Sequence, residues 1–145
     1  NKKKNYQYYL IRPLNGHEYS FGSMGKKELS LAHTQKIKLT HLDKITQLWS
    51  LYQNEDFDIL ISIAKDLEGK YPFILKAIQA HIQRIPNTTS YGRPIDSLIT
   101  IIQELQTDHF GTIFREFLKR EPIYGFGDLQ VKKMLEHIKT NSLIK

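Results

Sequence analysis

Histidine is the residue type in this chain that most readily binds a metal ion or transfers protons near neutral pH. No two of the six histidines are three to five residues apart, so no helical turn presents a local pair of imidazoles to a metal. They are His17, His33, His41, His81, His109 and His137. The chain has no cysteine, which excludes disulfides, thiolate nucleophiles and cysteine-ligated zinc. We therefore predict no metal site and no cofactor.

The acidic residues show no stronger pattern for catalysis. Glu104 and Asp108 lie one helical turn apart, and Asp56 and Asp58 lie near a helix start, where carboxylates favour the helix dipole. Paired carboxylates that act as acid and base require an apolar cleft that separates their pKa values, and no such cleft is indicated. His81 falls on an apolar helical stripe and is expected to be a hydrogen-bonded core residue. We predict no catalytic residue.

The most specific local feature is a loop with two glycines just before a predicted helix, Tyr124-Gly125-Phe126-Gly127-Asp128. Such a loop could offer backbone N–H groups to an anion, which makes Tyr124, Gly125, Gly127 and Asp128 candidate binding residues. The loop lacks the lysine and the Ser/Thr of a phosphate-binding loop, and a carboxylate would repel phosphate. The favoured interpretation is a tight turn followed by Asp128 as the N-cap of the last helix.

The net charge of +6 is concentrated at the start of the chain. Residues 1–40 contain eight of the 21 basic residues and two of the 15 acidic ones, so the remaining 13 bases and 13 acids cancel. Lys26 and Lys27 are the candidate binding residues of this basic segment. A solubilising tail is the favoured interpretation, and binding to phosphate groups of nucleic acid is the alternative.

The first 25 residues are predicted to form a basic arm. Tyr6–Arg12 is rich in aromatic residues and predicts a strand, and Asn15-Gly16 predicts a turn. His17–Phe21 is then the candidate for a returning strand. We expect a short hairpin or an extended arm over residues 1–25.

Residues 26–145 are predicted to form a helical domain. A short helix is expected at residues 26–33, and from residue 40 apolar side chains recur at helical spacing. The helix over Phe57–Leu67 is apolar nearly all round, which predicts that it lies at the centre. Thr107 or Asp108 is expected to cap the helix that begins near Phe110. The fold class is mainly α: an irregular antiparallel bundle of about six helices.

Several short motifs occur in an order that is similar to a known bacterial family. They are Trp49-x-x-Tyr52, Lys76-Ala77-Ile78-x-x-His81-Ile82-x-Arg84-Ile85-Pro86, Leu98-Ile99, Ile113-Phe114 and Tyr124-Gly-x-Gly-Asp128-x-x-Val131. Over residues 20–140 the chain resembles the C-terminal helical half of the family called domain of unknown function 1835. Pro94, in the stretch Tyr91–Asp96, departs from the family pattern.

The resemblance implies a bacterial origin and an N-terminal α/β half that this chain does not contain. The chain begins with Asn rather than Met, and we expect it to be a fragment of a longer protein. The resemblance implies no activity.

Three functions are compatible with these patterns. The leading hypothesis is a non-enzymatic helical module for interaction or regulation, whose partner is the upstream domain or another protein. The second is nucleic-acid binding through the basic N-terminal segment, which the neutral charge of the remaining chain disfavours. The third is an enzyme whose site is shared with the missing half, with His109, Glu116 or Asp128 in a cleft. No apolar run reaches the roughly 20 residues of a membrane span, and we expect a cytoplasmic protein without membrane contact.

Overall fold

The computed structural model describes residues 6–16 and 20–144, and the contacts within the chain divide it into two compact units. The N-terminal unit comprises residues 1–50 and the C-terminal unit residues 51–145. The predicted division into residues 1–25 and 26–145 stays a prediction.

The N-terminal unit contains a small two-stranded sheet. Strand β1 (Tyr9–Leu10) pairs antiparallel with β2 (Ile37–Lys38), so that Tyr9 lies opposite Lys38. The predicted returning strand is wrong at residues 20 and 21, which belong to the 3-10 helix Ser20–Ser23; residues 17–19 lie outside the described residues. The cost of closing a loop grows slowly with its length, so the β-branched segment beyond the first helix can serve as the partner strand.

Two helices complete this unit. Helix α1 (Lys26–Thr34) begins after Gly25, whose backbone N–H donates to Glu28 Oε2 at 2.7 Å. Helix α2 (Leu42–Gln53) follows β2 and runs across the boundary at residue 50. The buried apolar residues of the described part of this unit are Met24, Ala32 and Leu48.

The C-terminal unit consists of five α-helices and a short 3-10 helix in its described residues. These are α3 (Phe57–Leu67), α4 (Pro72–Gln83), α5 (Arg93–Leu105), α6 (Phe110–Arg120), the 3-10 helix Pro122–Tyr124 and α7 (Asp128–Thr140). Pro72 and Pro94 occupy the first turns of their helices, where the missing N–H has no intrahelical partner in any case. Helix α3 packs on α4, whereas α5, α6 and α7 pack on one another.

The main core lies between α5, α6 and α7. Its buried members are Leu98, Ile101, Ile113, Phe117, Val131, Leu135 and Ile138. Helix α3 buries a single face through Leu60, Ala64 and Leu67, while Ile59 is 48% exposed. The prediction that α3 lies at the centre is therefore wrong. Apolar residues all round a helix of 11 residues do not ensure that a partner covers every face.

The N-caps of two helices also differ from those predicted from the sequence. The N-cap of α6 is His109, whose Nδ1 accepts from the backbone N–H of Thr112 at 3.3 Å, and neither Thr107 nor Asp108 takes this role. The N-cap of α7 is Gly127, and Asp128 is the first helical residue. The imidazole of His109 can replace the usual short polar side chain because its ring nitrogen is also an acceptor.

The predicted fold class is confirmed. The described residues form seven α-helices, the short α1 and six longer ones, and a single two-stranded sheet. Within the described residues, none of these helices combines the length and the apolar character that a membrane crossing requires.

Candidate functional site

The six predicted binding residues fall into two sets. Lys26 and Lys27 are exposed in the first turn of α1, within the N-terminal unit. Tyr124, Gly125, Gly127 and Asp128 lie between α6 and the first turn of α7, within the C-terminal unit. Whether either set binds a ligand stays a prediction.

The loop before α7 uses part of its polar backbone internally. Gly125 has φ +57°, a left-handed conformation that suits glycine. The backbone N–H of Gly127 donates to Gln130 Oε1 at 2.9 Å, so this N–H is not available to an anion. Asp128 is exposed beside it. The loop therefore ends in a helix start at which the side chain of Gln130 caps the backbone of Gly127. The Gly-x-x-Gln pattern at positions 127–130 is the sequence signal that could have revealed this cap.

Tyr124 connects the loop to α4. Its hydroxyl donates to the carbonyl oxygen of Ala80 at 2.9 Å. Its ring stacks on Phe126 at 5.1 Å between centroids, and Phe126 in turn stacks on Phe117 of the core at 6.3 Å. Burial raises the pKa of the Tyr124 hydroxyl above its usual value. Tyr124 thus has a structural position with a neutral, hydrogen-bonded hydroxyl.

Arg93 lies next to Tyr124 and forms a partly buried ion pair with Glu121. Its Cζ is 5.8 Å from the Tyr124 ring centroid, and its Nε is 2.9 Å from Oε2 of Glu121. Glu121 is only 7% exposed, and its Oε2 accepts no well-aligned hydrogen bond in the described residues. The contact is therefore an ion pair rather than a hydrogen bond. Arg93 Nη1 also donates to Gln83 Oε1 at 2.8 Å, which fixes the guanidinium between α4 and α6.

The turn between α4 and α5 is held by a carboxylate. Asp96 accepts a short hydrogen bond from the Ser90 hydroxyl through Oδ2, and its Oδ1 accepts from the backbone N–H of Tyr91 at 3.1 Å. The Ser90 hydroxyl oxygen also accepts from the backbone N–H of Gly92 at 2.9 Å. The stretch 91–96, in which Pro94 departs from the family pattern, is therefore the start of α5, and Ser90 and Asp96 hold the turn before it.

A second arginine is paired at the end of α6. Arg120 Nη2 lies 2.7 Å from Glu104 Oε2, and its Nε donates to Glu116 Oε1 at 2.9 Å. The hydrogen bond from Arg120 lowers the pKa of Glu116, and the two carboxylates raise the pKa of Arg120. Glu116 is thus a stable carboxylate rather than a proton donor at neutral pH.

An open cleft of about 520 Å³ lies beside the two arginines, and we call it the polar groove. Its walls come from the end of α4, the following loop, the first half of α5 and the end of α6. The lining residues are Gln83, Asn87, Ser90, Arg93, Asp96, Ser97, Thr100, Arg120 and Glu121. Its volume is in the range of small-molecule sites. Sequence reasoning missed the groove because its polar groups are spread over 39 positions without a local motif.

The residues of the shared-enzyme hypothesis are not gathered in this groove. His109 caps α6, Glu116 pairs with Arg120, and Asp128 lies in the first turn of α7. None of the three belongs to the lining of the polar groove within the described chain. The described residues also contain no cluster of three His, Cys, Asp or Glu side chains that could hold a metal ion.

His81 of α4 lies close to two aromatic rings. The Tyr52 ring centroid is 4.6 Å and the Phe57 centroid 6.1 Å from that of His81. Nδ1 of His81 lies 3.3 Å from Arg84 Nη2. Burial, followed by the charge of Arg84, lowers the pKa of His81, while Glu55 acts in the opposite direction. The predicted hydrogen-bonded histidine is therefore half-buried and neutral at pH 7.

A cation–aromatic contact lies within the basic segment of the N-terminal unit. Nζ of Lys36 lies 5.0 Å from the centroid of the Tyr9 ring. Tyr6 and Tyr8 are exposed next to it in sequence. Exposed tyrosine rings can stack on the bases of a nucleic acid, and lysines among them can pair with its phosphates.

Comparisons with protein-family models, with curated proteins and with solved structures found no match for this chain. The resemblance to the domain of unknown function 1835 family therefore stays a prediction that rests on the quoted motifs.

Proposed function

We propose that this chain is a non-enzymatic interaction module, and that its N-terminal unit binds a folded α/β domain. One observation carries the proposal: in the described part of this unit, ten large apolar side chains are exposed, whereas three apolar residues are buried. We call the exposed side chains the apolar surface. They are Tyr6, Tyr8, Tyr9, Ile11, Phe21, Leu29, Leu31, Ile37, Leu42 and Trp49.

The size of these side chains supports a protein partner. Single exposed apolar residues are normal, whereas a contiguous exposed apolar patch is typical of an interface. Trp49 is 60% and Tyr6 is 66% exposed, and tryptophan and tyrosine are enriched among residues that dominate binding energy. Ala32 is the one buried residue of α1, so this helix contributes little to an internal core. A partner that covers Leu29 and Leu31 would complete its packing.

The α/β character of the partner is the part of the proposal that rests on the family resemblance. The partner would be either an upstream domain of the same polypeptide or a separate chain. A bacterial cytoplasm is the setting we propose, since a chain with no cysteine suits a reducing compartment.

Site-specific photo-crosslinking in bacterial cells that make the protein tests the proposal. A photoreactive residue at Leu31, which is 48% exposed, is expected to crosslink to an α/β domain that mass spectrometry identifies. The matched control is the same residue at Leu129, which is 67% exposed on α7. Crosslinks of equal yield and identity from both positions would refute the assignment to the N-terminal unit.

Nucleic-acid binding is the second candidate, and the contact of Lys36 with Tyr9 favours it. The affinity of the protein for a labelled single-stranded oligonucleotide, measured by fluorescence anisotropy at increasing salt concentrations, tests this candidate. Binding through Lys26 and Lys27 should weaken steeply with salt and disappear when both are changed to Gln and residues 1–5 are removed. Binding that survives these changes, or that ignores salt, would reject this candidate.

A further inference from the structure

The hydrogen bonds between β1 and β2 determine which backbone groups of β1 point out of the small sheet. The backbone N–H of Leu39 donates to the carbonyl oxygen of Tyr8 at 2.8 Å, which makes these two residues a hydrogen-bonded pair of the antiparallel ladder. The next pair along the ladder is Tyr9 with Lys38. Because hydrogen-bonded and non-hydrogen-bonded pairs alternate, the N–H and C=O of Tyr9 point away from β2.

Three successive outward positions lie along this edge of β1. Backbone direction alternates along a strand, so Gln7, Tyr9 and Ile11 turn their N–H and C=O groups to the same side. These groups have no hydrogen-bond partner within the described residues, and all three residues are exposed. The next outward position is Pro13, which has no N–H. The edge therefore offers a ladder of three residues to an added strand.

The opposite edge of the sheet is less suited to a further strand. Lys38 points its N–H and C=O outward from β2, but the N–H of Lys36, at the preceding outward position, donates to the carbonyl oxygen of His33 at 3.2 Å. An added strand would find fewer free donors on this side than on the side of β1. A two-stranded sheet is marginally stable by itself, so a third strand at β1 would also stabilise the sheet.

The pattern of these backbone groups favours a polypeptide over a nucleic acid. Each open residue presents one donor and one acceptor, and an extended peptide matches both at the spacing of the ladder. The phosphates of a nucleic acid accept hydrogen bonds but donate none, so they would leave the three C=O groups of the edge without a partner.

The charge around the edge indicates the chemistry of that polypeptide. Nζ of Lys36 lies 5.0 Å from the centroid of the Tyr9 ring, so its charge lies over β1. Lys38 is opposite Tyr9, and side chains of directly opposed residues share one face of a sheet. Residues 1–40 contain eight basic and two acidic residues, so pairing with a second copy of this chain would bring like charges together. An acidic strand is complementary.

We propose that an acidic, extended segment of the partner protein adds to the sheet as a third strand at the edge of β1. Its backbone pairs with Gln7, Tyr9 and Ile11, and its carboxylates face Lys36 and Lys38. This inference rests on the proposed function, because the segment belongs to the protein that covers the apolar surface of the N-terminal unit.

Solvent exchange of the backbone amides of the full chain, measured by NMR at low ionic strength, tests the pairing. The probe is a capped heptapeptide of alternating threonine and glutamate. It is expected to bind saturably and to slow the exchange of the Gln7, Tyr9 and Ile11 amides, but not that of Lys38. Slow exchange of these three amides without the peptide, or no saturable binding, would overturn the proposal.

Two further peptides separate backbone pairing from charge alone. The first has lysine in place of glutamate and is expected to bind at least about tenfold more weakly, because its charges repel those of the segment. The second keeps the glutamates but is N-methylated at every residue, so it cannot donate to the ladder and should slow none of the three amides. Equal binding of either peptide would contradict strand addition. A single-stranded oligonucleotide that slows the same amides more than the acidic peptide does would assign the edge to nucleic acid instead.

A pair of variants separates failure of this inference from failure of the proposed function. Tyr9→Pro removes an outward N–H of the edge, whereas Tyr9→Ala removes the same ring and keeps that N–H. With the photoreactive residue at Leu31, Tyr9→Pro is expected to lower the affinity for the captured partner by about tenfold relative to Tyr9→Ala, because a carbonyl of the partner is left unpaired. The crosslink yield below saturation reports this loss.

The outcomes of the two experiments are distinct. Equal yields from Tyr9→Pro and Tyr9→Ala, with the partner captured in both, would overturn strand addition and leave the proposed function in place. No capture in the unchanged protein would count against the proposed function, and the peptide measurements would still decide whether the edge accepts a strand. The same measurements keep the test open if Tyr9→Pro unfolds the N-terminal unit.

Discussion

Gly92 lies against the carbonyl oxygen of Arg84 so closely that a β-carbon at position 92 would come within 2.3 Å of it. Gly92 also has φ +91°, a backbone conformation that residues with a side chain rarely adopt. These two constraints fix the path from α4 to α5. That path brings Ser90 and Asp96 together at the edge of the polar groove.

Replacement of Gly92 by alanine should destabilise the C-terminal unit. We expect Gly92→Ala to lower the free energy of unfolding by about 2–4 kcal/mol, because strain at positive φ adds to a backbone clash. Equilibrium urea denaturation measures the change. Gly69→Ala is the control, since its β-carbon would meet nothing within 4 Å, and we expect it to change stability by about 0.5 kcal/mol or less. Equal losses in the two variants would contradict the close approach.

The hydroxyl of Tyr124 provides a second test of the packing between α4 and the loop. Tyr124→Phe should cost about 1 kcal/mol, the usual net value of one hydrogen bond. The cost stays moderate because the Ala80 carbonyl oxygen also accepts from the backbone N–H of Arg84 at 3.1 Å. Tyr91→Phe is the matched control, because the Tyr91 side chain is exposed and its hydroxyl has no hydrogen-bond partner among the described residues. Chemical denaturation that finds the same loss for both would count against this bond.

The ion pair between Arg93 and Glu121 should appear as a coupling energy. Arg93→Ala leaves the buried carboxylate of Glu121 without its cation, and we expect a loss of about 1–3 kcal/mol. The range lies below that of a fully buried pair because the Arg93 side chain is 41% exposed. Adding Glu121→Gln removes the unpaired charge, so the double variant should lose less than the sum of the single losses. Strict additivity in this double-mutant cycle would show that the pair contributes nothing.

The environment of His81 predicts a pH dependence of stability. Its pKa in the folded chain lies below the usual value of 6.5, so the unfolded chain takes up the proton first as pH falls. The contribution of His81 to stability is therefore fully present above the unfolded pKa of 6.5. It decreases as pH falls from there towards the lower pKa of the folded chain. We expect His81→Gln to lose less stability than the original protein between pH 7 and pH 5.

Two measurements check the role of His81. The ring-proton shifts of His81 in an NMR titration report its pKa directly, and urea midpoints at several pH values report the linkage to folding. The groups that face this ring include Tyr52, Phe57, Arg84 and Glu55. A titration midpoint at or above the usual histidine value, or identical pH profiles for the two proteins, would refute the prediction.

Helix positions could be predicted from the sequence because they depend on local spacing. The stripe Leu98, Ile101 and Ile102 recurs at helical intervals, and Pro72 and Pro94 suit first turns, so these helices begin where their residues indicate. The helix caps were harder to predict. The sequence predicts Asp128 as the cap of α7, but the N-cap is Gly127, because its backbone N–H donates to the side-chain oxygen of Gln130, which lies within reach.

Amino-acid type and spacing by themselves determined the mainly α class, a bundle of about six helices and the concentration of charge in the first 40 residues. The tertiary structure decided which apolar faces are covered: α5, α6 and α7 enclose the core, α3 buries one face, and the described aromatic residues of the N-terminal unit stay exposed. It also decided that Arg93 meets Glu121 and that Tyr124 meets Ala80. Helical periodicity depends on neighbours three or four residues away, whereas these contacts join residues 28 and 44 positions apart, and their formation depends on how whole helices pack.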